Sequence, residues 1–443
     1  MFPDPQSKSA RLFERAGRVQ PGANTRHMIT FGPYIVYADH GEGCRLTDVD
    51  GNVYLDWINN FSTQIHGYAF PPILEAVREQ IGRTICCILP DEAEIELSEM
   101  IVERMPGVDQ VRFTNSGTEA IMVAVKAARA ITGRGKVAKA EGGYHGQFDL
   151  MEASFLPTPA NWGPPERPAA PPLGVGTPTS LMEQVVVYPF NDWPASEALL
   201  EESADDLAAV VIDPYPARLG FSPADHSYLE ALKAFCRRRG VVLIFDEVFC
   251  NRASYHGAQG RAGVTPDLTV MGKIIGGGFP IGAVGGTREA MAVFDNLAGP
   301  LRMSHSGTFT ANPVSMAAGV AALKHLTPDV FERLERQGDR FREGLTAIFR
   351  REGLAMRANG LASMTSLQFF TEPARNYREF YTRSGPDYLQ RMQALHRQFL
   401  SEGVLMATRG MMIGSTAMTD ADIEETLERC GRALAAFAGQ VAA

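Results

Sequence analysis

A chain of 443 residues with 45% hydrophobic and 21% charged side chains reads as a globular protein, long enough for one large domain and a smaller one. Its 42 basic residues are outnumbered by 51 acidic ones, and the resulting net charge of −9 disfavours nucleic acid or an anionic membrane as the main partner. No run of about 18 apolar residues occurs, and the opening MFPDPQSKSARLFERAGR has no signal-like apolar core, so the cytoplasm is the expected location.

Residues 7–18 are predicted to form a short helix ahead of Pro21-Gly22. Apolar residues at 34–37 and 53–57 predict a strand pair, with Asp48-Val49-Asp50-Gly51-Asn52 supplying the turn. Residues 73–81 and 92–104 carry helical periodicity. Six cysteines (Cys44, Cys86, Cys87, Cys236, Cys250, Cys430) are scattered without CxxC spacing, which predicts reduced, buried thiols and no zinc site.

Val111-Arg112-Phe113-Thr114 reads as a buried strand running into Asn115-Ser116-Gly117-Thr118-Glu119. Ser116 and Glu119 have capping-box spacing, and a helical stretch over residues 120–132 follows. Free backbone N–H groups, hydroxyls and the positive end of the helix dipole then converge at Ser116, Gly117 and Thr118. That makes a candidate phosphate site, although a plain helix cap has the same signature. The GxxxxGK[ST] spacing of a P-loop is absent. A second apolar piece, 137–140, leads into Glu141-Gly142-Gly143-Tyr144-His145-Gly146. There Tyr144 can stack on a planar ligand or pack the loop, and His145 is a further candidate contact. Residues 156–178 hold eight prolines and no apolar period, which predicts a surface excursion, ordered or mobile, in place of a linker.

Short, continuously apolar strands at 185–188, 208–212 and 241–245 alternate with helical stretches at 196–202 and 227–239, the pattern of a parallel sheet covered on both faces. Ligands of such sheets sit beyond the carboxyl ends of the strands. VVLIFDEV sets Asp246 at one such end, and LTVMGK sets Lys273 just past the next. Lys273 stands among apolar residues and Gly276 to Gly278, with no acidic partner nearby in sequence. Such burial disfavours the ammonium form and yields a nucleophile or Schiff-base former; the alternative is a lysine paired with a carboxylate distant in sequence. Helices at 314–326, 331–351, 388–401 and 421–436, with a strand at 365–370, predict a separate C-terminal lobe.

An anion-binding helix start, a stackable aromatic, a strand-end carboxylate and a buried lysine together describe a pocket for a planar phosphorylated aldehyde. The motifs PGANTR (21–26), DVDGNVYLDW (48–57), NSGTEA (115–120), GGYHG (142–146), FDEV (245–248), PDLTVMGKIIGGGFPIGA (266–283) and HSGTFTANP (305–313) carry a resemblance over about residues 13–436. The chain resembles class III aminotransferases of the fold-type-I pyridoxal-phosphate (PLP) superfamily. The resemblance implies an α/β fold: a large PLP-binding domain at 61–326 with a mostly parallel, seven-stranded-type sheet, and a smaller α+β domain from residues 1–60 and 327–443. It implies Lys273 as the Schiff-base lysine and Asp246 as partner of the pyridinium nitrogen. Val248 and Tyr144 would flank the ring, with Ser116, Gly117 and Thr118 on the phosphate. Thr308 would reach the cofactor of a second subunit, so a homodimer with shared sites is implied.

The resemblance extends to substrates. Arg26 and Arg409 match positions where β-phenylalanine-type aminotransferases place carboxylate-binding arginines, which implies a β-amino acid donor and a 2-oxo acid acceptor, with pyridoxamine phosphate as the carrier. Glutamate-1-semialdehyde 2,1-aminomutase is the nearest alternative, and amine transaminases and racemases of the same class stay open. A non-catalytic PLP-binding protein is the reading from another class. Where the family has Glu-Pro after a strand, this chain has Asp213-Pro214-Tyr215-Pro216-Ala217-Arg218, which changes a pocket wall.

Overall fold

A computed structural model describes residues 2–442. They fall into two compact units. One comprises Pro72–Phe331 and Ala374–Phe380; the other comprises Met1–Pro71, Glu332–Pro373 and Tyr381–Ala443. The boundaries expected at 60/61 and 326/327 compare with divisions at 71/72 and 331/332, and Ala374–Phe380 returns to the larger unit.

The larger unit is built on one sheet of seven strands: β1 (Gln110–Thr114), β2 (Lys136–Ala140), β3 (Val185–Tyr188), β4 (Leu207–Ile212), β5 (Val242–Asp246), β6 (Leu268–Gly272) and β7 (Gly282–Gly286). Their spatial order is β1-β7-β6-β5-β4-β2-β3. The neighbours β6-β5-β4-β2-β3 run parallel, whereas β7 is antiparallel to both β6 and β1. All six residues of β4 are buried, so both faces of that strand are covered, and each valine, leucine or isoleucine contributes about 1.5–3 kcal/mol. Helix α1 (Gly117–Thr132) lays its apolar stripe, Ile121, Ala124, Val125 and Ala128, on the sheet. It stops at Gly133, whose left-handed φ of 71° lets its N–H reach the Arg129 carbonyl. Gly277, in the glycine run after Lys273, has φ of 57°, and a Cβ there would stand 2.5 Å from the Ala318 carbonyl of helix α2 (Pro313–Lys324). This close approach is to a helix.

In the smaller unit Val404–Leu405 joins Val53–Asp56 as a parallel neighbour, so early and late parts of the chain share one sheet. Its core stacks Trp57 on Phe341 with ring centroids 3.9 Å apart. The expected strand at 34–37 does not form. Strand Val53–Asp56 pairs instead with Arg45–Asp48 across the predicted turn. These residues are apolar for a tertiary reason: Ile35 is buried with Phe31, Tyr54 and Leu400, and Tyr34 packs its ring on Phe2 with centroids 4.9 Å apart. Cys86 and Cys87 are exposed, contrary to expectation, while the other four thiols are buried and all six are free. Among the described residues no helix is long and apolar enough to cross a membrane.

Candidate active site

The larger unit gathers the cofactor candidates at the carboxyl ends of β4, β5 and β6 and the start of α1. At that helix start Ser116 Oγ accepts a hydrogen bond from the Glu119 amide at 3.2 Å, and Glu119 Oε2 reaches back to the Asn115 amide at 2.7 Å. The amides of Gly117 and Thr118 precede the first intrahelical bond, so they face an incoming acceptor at the positive end of the dipole. A Cβ on Gly117 would stand 2.8 Å from the Val248 methyls, which places Val248 directly beneath the helix start.

Asp246 ends β5 and is only 7% exposed. Its Oδ1 accepts the Val248 amide at 3.0 Å, and its Oδ2 lies 2.8 Å from His145 Nδ1. Burial holds the His145 pKa below its ordinary value even though Asp246 pulls it upward. The neutral ring therefore donates Nδ1–H to Asp246, leaving Nε2 buried with no partner among the described residues. His145 stands behind Asp246 and holds it.

Lys273 is the first residue past β6. Its φ of 50° puts a non-glycine backbone in the left-handed region, which costs roughly 1–3 kcal/mol and is tolerated where the fold over-determines the position. The side chain is partly exposed yet crowded by protein, with Nζ 4.8 Å from the Phe249 ring centroid. Desolvation lowers the ammonium pKa, and Asp246, then Asp213, restore part of it. Asp213 follows β4 and accepts the Tyr215 amide at 2.9 Å; desolvation, reinforced by Asp246, pushes its carboxyl up to about 7. Tyr144 is 43% exposed and tilts against Phe155 at 5.0 Å between centroids.

Lys139 carries no motif, sitting in the apolar strand β2, but it is fully buried, whereas Lys273 is partly exposed. Its Nζ donates to the Gly143 carbonyl at 2.8 Å and the Ala153 carbonyl at 2.6 Å, and burial brings its pKa down to about 7. It pins the loop bearing Tyr144 and His145. A lysine at a position enclosed on both sheet faces was the available signal. Thr308 is exposed on a loop that Cys86 Sγ touches through the Thr308 carbonyl at 3.9 Å, apart from the Asp246 cluster.

Arg26 and Arg409 belong to the smaller unit. Arg26 is exposed, with Nη1 donating to Asn60 Oδ1 at 2.6 Å. Asn60 sits in a run of four left-handed residues, Asn59, Asn60, Phe61 and Ser62, a costly backbone that fixes its amide. The Arg409 loop is tied to the segment after Arg26 by Thr408 Oγ1 donating to the Met28 carbonyl at 2.7 Å.

Comparison with known proteins adds to this geometry. The family described as Aminotransferase class-III matches residues 30–434. The chain belongs to the class III aminotransferases. It is 38% identical over 437 residues to glutamate-1-semialdehyde 2,1-aminomutase 2 of Brevibacillus brevis, covering 97% of this chain and 98% of that one. It is 35% identical over 434 residues to the beta-phenylalanine transaminase of Variovorax paradoxus, covering 97% and 93%. The crystal structure of an omega-transaminase from Sphaerobacter thermophilus superposes with a TM-score of 0.93 at 43% identity, covering 97% and 98%. The chain is thus a PLP-dependent transaminase with an amino donor and an oxo acid acceptor. The residues present fit that cofactor: unbonded amides at a helix start for a phosphate, a carboxylate braced by a buried histidine for a ring nitrogen, an exposed aromatic for a ring face, and a desolvated amine for an aldehyde.

Proposed function

We propose that this aminotransferase moves the amino group of a β-amino acid to a 2-oxo acid, with Lys273 and Asp246 as its catalytic residues. When bound, PLP supplies an aldehyde that holds the amine and a protonated ring that withdraws electrons from the adjoining carbon. Asp246 keeps the ring nitrogen protonated, and His145 fixes the carboxylate's direction. Ser116, Gly117 and Thr118, at the free helix start, would hold the phosphate, and Val248, which packs against Gly117, and Tyr144 would flank the ring. Lys273, its amine neutral at a lower pH than a solvated lysine, accepts the substrate proton at Nζ. Positioned acid–base catalysis of this kind is worth about 10²–10⁴-fold.

The observation that carries the β-amino acid reading is the pair of arginines on linked segments of the smaller unit. Two guanidinium forks, one per carboxylate, suit a donor and an acceptor bound in turn. The similarity to a beta-phenylalanine transaminase supports it. The working form in this reading is a homodimer located in the cytoplasm. Ile88 is 99% exposed, Leu89 74%, Ile85 63% and Phe309 61%, and Asn312 Nδ2 ties the two stretches together through the Ile85 carbonyl at 3.0 Å. A contiguous apolar patch of this kind marks a protein contact. A second copy covering it would bury Thr308, beside Phe309, near a shared site.

Spectral titration of the PLP-loaded protein with α-, β- and ω-amines tests the reading. A β-amino acid is expected to discharge the lysine-bound cofactor band, and pyruvate or 2-oxoglutarate to restore it. Discharge by α-amino acids alone would overturn the donor class. Amino transfer within one molecule, with no oxo acid needed, would favour the aminomutase alternative.

A further inference from the structure

The loop after β2 leaves at Gly142 and returns at Ser154, where the Gly142 amide donates to the Ser154 carbonyl at 2.8 Å. Just inside that bond, Lys139 Nζ takes the next two carbonyls, Gly143 at 2.8 Å and Ala153 at 2.6 Å. Lys139 lies in the interior of the sheet, paired with Val187 of β3 and Val211 of β4, and is fully buried. A valine like those neighbours would avoid the cost of desolvating an amine. What the lysine supplies in return is a set of N–H donors at the neck of the loop. Burial brings its pKa to about 7, but a neutral amine keeps two N–H groups and an ammonium has three, so both carbonyls are met in either charge state.

The residues that this loop presents to the cofactor site lie between those two carbonyls. Tyr144 rests on Phe155, and His145 Nδ1 lies 2.8 Å from Asp246 Oδ2. Gly146 presses on Thr118, since a Cβ there would stand 2.9 Å from Thr118 Oγ1, and the Gln147 amide donates to that hydroxyl at 3.3 Å. One neck therefore governs a ring-facing aromatic, the brace of a carboxylate and a hydroxyl at the start of α1. The charge of Lys139 also favours the neutral form of His145, the form that donates to Asp246. All of these groups belong to the larger unit.

Resting on the cofactor placement above, we propose that Lys139 is a positioning residue for PLP: it closes the neck of loop 143–153 and so sets Tyr144, His145 and the Thr118 hydroxyl together. It acts through the loop and not on the reacting atoms.

Dialysis of the full chain loaded with pyridoxamine phosphate, which is held without a bond to lysine, gives its Kd in wild type and three variants. Lys139→Met keeps an apolar stem and removes the donors. Lys139→Gln keeps two N–H groups on a shorter stem. Val137→Ala thins the same buried strand away from the neck. Lys139→Met is expected to weaken pyridoxamine phosphate by about 10–100-fold, the worth of hydrogen bonds to a charged group, with Lys139→Gln falling between and Val137→Ala within about two-fold. Val137→Ala should lower the melting temperature all the same. Hydrogen–deuterium exchange is expected to quicken within 143–153 in Lys139→Met and not in Val137→Ala. An unchanged Kd in Lys139→Met, or equal weakening in Val137→Ala, overturns the proposal. Should Lys139→Met not fold, Lys139→Gln set against Val137→Ala makes the same comparison. A wild type that does not hold pyridoxamine phosphate would break the cofactor placement, whereas exchange within 143–153 would still decide whether Lys139 closes the loop.

Discussion

Replacing Lys273 with alanine is expected to lower turnover by about 10²–10⁴-fold or more, since it deletes the amine on which both Asp246 and Asp213 act. The change removes a side chain at the wall of the site. Alanine meets the same left-handed backbone cost that lysine already bears, so the fold should persist. The phosphate donors at the start of α1 are untouched, so the variant should still bind PLP while losing the lysine-bound absorbance band. Stopped assays with a β-amino acid and 2-oxoglutarate, alongside the spectrum, check both halves. A variant that keeps the band and the rate would show that another group does the chemistry.

Asp246→Asn carries the next largest effect. Asparagine matches the shape: its one oxygen keeps the Val248 amide, and its NH2 meets His145 Nδ1 once that ring carries its proton on Nε2, so thermal stability should fall by no more than a few degrees. What disappears is a fixed negative charge in a dry site, aimed where the cofactor's ring nitrogen gains a proton. Removing one such preorganised electrostatic contact typically costs about 10²–10³ in kcat. The expected result is that loss in kcat with a melting temperature within a few degrees of wild type. An unchanged kcat would mean that ring protonation does not depend on Asp246.

Much of this architecture is legible from local pattern. Continuous apolar runs such as 208–212 and 241–245 mark strands buried on both faces; the structure starts the first one residue earlier and shifts the second one residue later. The Ser116–Glu119 spacing marks the helix start, and strand ends mark Asp246 and Lys273. Other features depend on contacts distant in sequence. Tyr34 and Ile35 look like strand residues because tertiary packing, on Phe2 for the first and with Phe31, Tyr54 and Leu400 for the second, needs apolar groups there. The proline-rich stretch 156–178 is held by a segment two hundred residues later in the chain. Tyr377 donates to the Pro157 carbonyl at 2.9 Å, and Arg378 donates to the Gly163 and Trp162 carbonyls at 2.9 and 2.8 Å. No period or motif in 156–178 announces that clamp. Strand β7, three of whose five residues are glycine, has no strand pattern of its own, and its place comes from pairing with β1 and β6 on either side. Lys139 and the left-handed run 59–62 are likewise products of packing.

The most direct measurement is the attachment point of the cofactor. Borohydride reduction of the PLP-loaded protein, followed by digestion and peptide mass analysis, fixes the label on whichever of the seven lysines holds it. The expected result is a single phosphopyridoxyl group on Lys273. A label on Lys139, on any other lysine, or on none would contradict the assignment of Lys273 as the amine at the centre of this site.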